Sequence, residues 1–388
     1  MRTQQSGRTR RNGAAACVAV VLAGSVAALP SLLPSAAAAP VADAAGTCTV
    51  AGVVATWPVR RLAAQTVVVP VQESHVASVE DEVAAGVGGV ILFGNSAPAE
   101  LADDLAGLLA RAPEGVTPFV MTDEEGGKVQ RMANLVGWMP SARQMARTLT
   151  PAQVGALARR VGERMADAHV TMNLAPVLDL DGRPGPSPTN ADGTRSFSAV
   201  ATKTRSYGLA FAEGMRAAGV VPVVKHFPGL GGATTNPDYG PASTRRWSVL
   251  RRSGLRPFRA AIAAGLPAVM VTTARVPGLS RVPSTLSWQV VHRLLRGRLG
   301  FHGLVMTDTL SGGAVRGAGY GVPRAAVRSL DVGADLVLFN AATSDVAALT
   351  ERTIDAITRA VARGDLPLRR LRAAVVHVLE AKHAAVCG

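Results

Sequence analysis

Aromatic side chains are scarce in this chain of 388 residues, at 4% against 48% hydrophobic residues overall. A core built with few large rings must be filled by Val, Leu, Ala and Ile, which suits buried parallel strands covered by Ala-rich helices. Lysine is scarce too: Lys128, Lys203, Lys225 and Lys382 are the full set, so nearly all positive charge is arginine. There is no His-Glu-x-x-His, no Cys/His cluster and no EF-hand loop, so neither a metal nor another cofactor is expected. The chain also lacks helix-turn-helix and zinc-finger spacing and any module of interleaved aromatic and basic residues, which argues against nucleic acid. The formal charge of +14 fits electrostatic association with cell-wall polyanions or anionic lipid, or an Arg-biased solvated surface.

Cysteine is nearly absent, and its three positions follow the organisation of the chain. Arg2, Arg8, Arg10 and Arg11 form a positive front before an apolar stretch from Ala14 to about Leu33, and Ala36 to Ala39 supply small residues for cleavage. Residues 1–39 therefore read as a signal peptide, with a retained membrane anchor as the alternative, and 40–56 as an N-terminal extension. Arg10-Arg11 is a fragment of a twin-arginine signal, and neither Cys17 nor Cys48 follows a Leu-Ala-Gly type lipidation box. The expected product is secreted or attached to the cell envelope, and monomeric. Cleavage removes Cys17 and leaves Cys48 and Cys387. In an exported protein two remaining cysteines favour a disulfide, and a closed barrel would bring both ends together.

From Trp57 onward short β-rich runs alternate with amphipathic Ala/Leu/Arg segments. Eight runs are expected as strands: Thr66–Val71, Gly89–Phe93, Pro118–Thr122, Thr171–Leu178, Val220–Lys225, Ala268–Thr272, Gly303–Thr307 and Asp335–Phe339. Helices are expected over Ala99–Leu109, Pro151–Ala168, Lys203–Ala218, Trp288–Leu299, Ser344–Ala360 and Leu368–His383. Eight βα units predict an α/β fold, a single-domain (β/α)8 TIM-type barrel. A doubly wound sheet would carry a glycine fingerprint after its first strand, where this chain has Gln72-Glu73-Ser74-His75.

The strand ends carry the chemistry. Strand three runs into Asp123-Glu124-Glu125-Gly126-Gly127-Lys128-Val129-Gln130-Arg131, and strand four into Asn173-Leu174-Ala175-Pro176-Val177-Leu178-Asp179. The loop beyond strand four holds Gly193-Thr194-Arg195-Ser196-Phe197. Strand five gives Lys225-His226-Phe227-Pro228-Gly229, and strand seven ends at Asp308. Asp, Arg, Lys and His converging on the mouth of a barrel suit the vicinal hydroxyls of a sugar, which charged hydrogen bonds orient well.

Four of these motifs, at successive strand exits, resemble the single-domain branch of glycoside hydrolase family 3, the NagZ-like β-N-acetylhexosaminidases. The similarity runs from about Trp57 to the last helix. It implies a (β/α)8 catalytic domain over 57–388 and a carbohydrate substrate, an amino-sugar glycoside or muropeptide. It implies Asp308 as the nucleophile of a retaining double displacement. Asp123, Arg131, Arg195, Lys225 and His226 fall on sugar-binding positions, with Asp179 behind them orienting the basic groups.

One loop departs from the family pattern. Where members carry an Asp-x-His pair after strand five, this chain has Asn236 in place of the orienting Asp and Asp238 in place of the acid/base His. Ala274 likewise replaces a frequent His after strand six. Either Asp238 is itself the acid/base, giving the two-carboxylate arrangement of retaining glycosidases, or it is a solvated residue of an Asn-Pro-Asp turn. The expected function is that of an exported β-N-acetylglucosaminidase acting on cell-wall amino-sugar glycosides. The alternatives are a catalytically weakened carbohydrate-binding protein and a β-glycosidase of neutral sugars.

Overall fold

The computed structural model describes residues 48–388 apart from positions 114, 385, 387 and 388. The expected signal peptide, Cys17 and Cys387 lie outside the described residues, and so does the Cys48–Cys387 bond.

Eight short runs of β-branched and apolar residues form parallel strands: β1 Val67–Gln72, β2 Gly89–Phe93, β3 Phe119–Thr122, β4 Met172–Asn173, β5 Val221–Phe227, β6 Ala268–Val271, β7 Leu304–Thr307 and β8 Val337–Leu338. They pair in the order β8-β1-β2-β3-β4-β5-β6-β7. A parallel bridge between Met306 and Leu336 and a hydrogen bond from the Asp335 N–H to the Val305 carbonyl close the ring. The expected (β/α)8 barrel is borne out.

Alternation along each strand separates two cores, because successive side chains point to opposite faces. Val68, Ile91, Met121, Met172, Met270 and Met306 pack together inside the barrel. Their neighbours Val67, Val69, Val90, Leu92 and Val120 face outward against the helices, as do Val269 and Val305 on the far side. Phe119 is the one aromatic buried inside. Flexible methionines take up the irregular interior space that rings fill elsewhere, and a thioether adapts well to that task.

The covering helices follow the expected periodicity within about two residues at each end. Pro151–Asp167 opens with a capping box, in which Thr150 accepts from the Gln153 N–H and the Gln153 side chain accepts from the Thr150 N–H. Val346–Arg363 stops at Gly364, whose left-handed φ of 79° closes the helix without a Cβ clash. The extension contributes the helix Val50–Thr56, which packs on the last helix, Leu368–Ala381.

Two strands are shorter than expected, each for a visible reason. Beyond Asn173 the ladder of β4 breaks at Pro176, which has no N–H to donate, and resumes as a single bridge between Val177 and Lys225. At β8 the preceding Asp335 is turned into an ion-pair hub. Its carboxylate takes the guanidinium groups of Arg296 and Arg370 (2.8 Å for the latter), the His377 ring at 3.0 Å and the Val305 N–H at 2.9 Å. These cations outweigh the effect of burial and hold the Asp335 pKa at about 2.

Strand β5 is longer than expected and carries a bulge. Val224 pairs with Val269 but Phe227 with Val271, so three steps on β5 oppose two on β6.

Asp335→Ala would strip a buried hub of the charge that two arginines share, and should cost about 3–5 kcal/mol of stability. Urea denaturation checks this; a loss below about 1 kcal/mol, the scale of an exposed pair, would show the hub to be dispensable.

Candidate active site

The bulge decides how β5 presents its last residues. Lys225 and His226 are neighbours, and in a regular strand their side chains would face opposite ways. With the register shifted between Val224 and Phe227, both line the same cavity at the C-terminal mouth of the barrel. The Lys225–His226 peptide is cis.

The Lys225 ammonium is almost fully buried and sits between two carboxylates, 2.5 Å from Asp123 Oδ1 and 2.6 Å from Glu125 Oε1. Arg195 grips Glu125 from the other side with two parallel bonds, Nε to Oε2 at 2.8 Å and Nη2 to Oε1 at 2.7 Å. Burial alone would raise the Glu125 pKa, but Arg195 and Lys225 outweigh it and hold that carboxyl at about 2. The same carboxylates raise the Lys225 and Arg195 pKa values against the opposing effect of burial. Glu125, Lys225 and Arg195 are therefore charged near neutral pH.

His226 is tied down from behind. Asp179 Oδ2 meets the His226 N–H at 3.0 Å and the ring Nδ1 at 2.7 Å, while Oδ1 accepts from the Leu230 N–H. Burial, helped by the Arg195 charge, depresses the imidazole pKa to about 4. A neutral ring with Nδ1–H donated to Asp179 leaves Nε2 as an acceptor, facing Arg195 Nη2 at 3.5 Å. His226 is thus no proton donor at neutral pH. Asp179 itself is raised to about 7, first by burial.

Asp308 follows β7, where its N–H bonds the Val271 carbonyl of β6 and its Oδ1 accepts from the Thr309 N–H at 2.7 Å. Its pKa is raised by burial and by the Asp238 charge, and lowered by His226, Thr309 and Lys225. Asp238 lines the same cavity from the loop after β5. The residue is exposed at the rim of the cavity, yet the surrounding wall partly desolvates its carboxyl and raises its pKa; Arg195 and Lys225 oppose the rise and Asp123 adds to it.

That loop is fastened to the segment that follows Asp308. Gly313 N donates to the Asp238 carbonyl at 2.8 Å and Ala314 N to the Pro237 carbonyl at 2.9 Å. The approach is so close that a Cβ on Gly313 would stand 2.3 Å from the Tyr239 carbonyl carbon. The glycines of Ser311-Gly312-Gly313 are there to admit the loop. Asn236 serves the turn, its Oδ1 accepting the Asp238 N–H at 3.0 Å. Ala274 is fully buried in a small apolar cluster with Ala191 and Leu230, both of which line the cavity.

The cavity holds about 730 Å³ and gathers Asp123, Arg131, Arg195, Lys225, His226, Asp238 and Asp308 around one mouth. Arg131 lies over the Phe93 ring at 5.7 Å, and its buried Nε has no hydrogen-bond partner among the described residues. Asp179 is buried behind His226 and does not line the cavity. Three residues escaped the sequence reading. Glu125 was visible within the acidic run yet received no role. Asp192 gave no signal; it is buried beside Asp179 and His226, its pKa well raised by burial and the Asp179 charge. Arg143 also gave none, and it clamps the Arg195 loop through the carbonyls of Asp181, Gly193 (2.8 Å) and Ser196 (3.1 Å). Asp179, Asp192 and His226 lie close enough to share a cation, but the Nδ1 bond to Asp179 and the neighbouring Arg195 already account for that ring.

The chain has known relatives. The model of the glycosyl hydrolase family 3 N terminal domain matches residues 60–381. The chain belongs to glycosyl hydrolase family 3. It is 37% identical over 306 residues to beta-hexosaminidase LpqI of Mycobacterium tuberculosis, with 76% of each chain covered. The solved structure of M. tuberculosis LpqI is similar with a TM-score of 0.78 at 34% identity, covering 87% of this chain and 98% of that one. A beta-N-acetylhexosaminidase from Beutenbergia cavernae gives 0.76 at 30% identity, over 85% and 100%. As a family 3 member the protein is a glycoside hydrolase, and the bonds it breaks are O-glycosyl bonds.

Glu124 offers a pH test of the wall. It is fully buried, with Oε1 accepting from the N–H groups of Arg131 and Met132 and Oε2 unpaired among the described residues. Burial raises its pKa to about 7. The folded state then holds an extra proton between the unfolded pKa, near 4.5, and about 7. That stabilisation is complete at low pH and lost as pH rises through 7. Glu124→Gln should therefore flatten the decline in stability between about pH 4.5 and 7, by about 3 kcal/mol. Parallel stability curves for the variant and the wild type would refute a buried, protonated Glu124.

Proposed function

We propose that the protein is an exported, retaining β-N-acetylhexosaminidase that acts on cell-wall amino-sugar glycosides by double displacement. The observation that carries the reading is that Asp308 and Asp238 share one cavity with the Asp123–Lys225–Glu125–Arg195 network. The hexosaminidase names of the relatives support the choice of sugar. In this reading the free oxygen of the Asp308 carboxylate attacks C1 while Thr309 N–H holds the other oxygen. The glycosidic C–O bond breaks, and the departing oxygen takes the proton of Asp238. A water then gives its proton back to Asp238 and attacks C1, releasing Asp308. Asp123, Arg131 and Lys225 bind ring hydroxyls; the exposed edges of Asp123 and Arg131 and the unpaired Arg131 Nε support this. Arg195, whose guanidinium is spent on Glu125 and the Ala191 carbonyl, and His226 hold the grip in place.

Export rests on the expected signal at residues 1–39. None of the described helices is long and apolar enough to cross a membrane. The packing of Val50–Thr56 on the last helix, with Arg372 donating to the Ala55 carbonyl at 2.8 Å, supports the Cys48–Cys387 bond. Reduction should add two hydrogens in mass across the corresponding peptides, and two free thiols beforehand would exclude the bond.

The decisive assay pairs nitrophenyl and alkyl N-acetyl-β-glucosaminides with wild type, Asp308→Ala and Asp238→Ala. Asp308→Ala should abolish turnover, and a 5-fluoro sugar should label Asp308 in the wild type. Asp238→Ala should lose about 10²–10⁴-fold on alkyl glycosides and far less on nitrophenyl ones. If wild type releases no more nitrophenol than Asp308→Ala, the hydrolytic role of Asp308 is lost. Faster turnover of the matching glucoside would reassign the ring specificity to neutral sugars.

The weakened, carbohydrate-binding reading keeps one observation in its favour: Asp238 is exposed and its turn is capped by Asn236. It requires that Asp238→Ala leave the leaving-group dependence of the wild type unchanged.

A further inference from the structure

The charge of the chain is concentrated in less than one fifth of it. From Tyr239 to Thr307 there are eleven arginines and no Asp, Glu or Lys, so this segment carries +11 of the formal +14. Arg296 is committed to Asp335. The other ten, Arg245, Arg246, Arg251, Arg252, Arg256, Arg259, Arg275, Arg281, Arg293 and Arg298, are exposed, and none has an ion-pair partner among the described residues.

The fold keeps them together. The segment comprises β6, the loops on either side of it, and the outer helices Leu255–Ala263 and Gln289–Arg298. The loops after β5 and β6 are stitched by three main-chain bonds: Thr244 N to the Arg275 carbonyl, Arg275 N to the Ala242 carbonyl and Trp247 N to the Pro277 carbonyl. Arg245, Arg246, Arg275 and Arg281 thus flank the mouth, and the helix arginines continue the surface down the barrel wall. The neighbouring helices bring no free acid, since Glu213 is paired with Arg216 and Asp331 with Arg328.

We infer that this sector is a docking surface for a hydrated polyanion, a phosphodiester-linked polyol or glycan polymer running past the mouth of the active site. Guanidinium groups bind phosphate by two parallel hydrogen bonds, and an unneutralised field of this size draws in an extended anion. An anionic bilayer fits less well, because Trp288 and Tyr239, the latter in the wall of the active-site cavity, are the two large exposed hydrophobic groups in the sector, and surface insertion needs a continuous apolar face. Single-stranded nucleic acid fits less well too, since stacking successive bases needs several open rings, whereas the Trp288 ring is stacked on His292 at 5.0 Å and Tyr239, in the cavity wall, is the one open ring of the sector. Docking would be independent of hydrolysis, so the two can fail separately.

The test measures retention of the full chain on immobilised, deacylated poly(glycerol phosphate) at about 50 mM salt, where screening is modest. Replacing Arg251, Arg252, Arg256 and Arg259 by Gln removes four charges, none of which lines the pocket. A control replaces Arg147, Arg160, Arg352 and Arg369, exposed residues elsewhere, and so matches the change in net charge. The sector variant should bind about tenfold more weakly or worse, and the control within about twofold of wild type, if position rather than total charge matters. Turnover of a small nitrophenyl glycoside at wild-type rates certifies that both variants are folded. Equal losses in the two variants, absence of wild-type binding, or tighter binding to vesicles with about 30 mol% phosphatidylglycerol or to oligo-dT would each overturn the proposal.

Discussion

A single buried ammonium governs the layout of the barrel mouth. Lys225 could not keep its charge inside the protein without compensation, because desolvating an ion of that size costs several kcal/mol. Asp123 and Glu125 supply the compensation, and the second oxygen of Glu125 then requires Arg195. Arg195 in turn depends on the loop that Arg143 clamps through three carbonyls. Strands β3 and β5 and the long connection after β4 are held in one register by this chain of charge pairs. The order of dependence runs from the centre of the mouth outward, so the charged network is complete before any ligand arrives.

Much of this was legible in the amino-acid sequence, for physical reasons. Strands buried on both faces are runs of apolar residues, so the eight elements of the barrel stand out. Polar residues at the end of such a run have little use in packing, which is why Asp123, Lys225, His226 and Asp308 could be named. What stayed hidden depends on contacts between distant segments. Nothing next to Asp335 in the chain announces that it meets Arg296, Arg370 and His377. Asp192 looks like a loop residue until the fold buries it against Asp179, and Glu125 could not be told from Glu124 by spacing. The two adjacent glutamates end up opposite in character: one is fixed as an anion by two cations, the other is raised to about 7 by burial.

The β5 bulge has the same lesson on a smaller scale. Strand periodicity would assign Lys225 and His226 to opposite faces, yet both line the cavity. An irregularity of one residue in the register re-aims a pair that simple alternation would have split.

The attachment of the loop after β5 bears on how the enzyme moves. Asp238 hangs from the first turn beyond Asp308 by two main-chain bonds, and Thr235 and Asn236 moor the same loop to the Pro188 carbonyl. The backbone that carries Asp238 is therefore tied to the backbone just beyond Asp308. In the double displacement proposed above, Asp238 would therefore need no closure of this loop to stand at the mouth, because the loop is already fastened there.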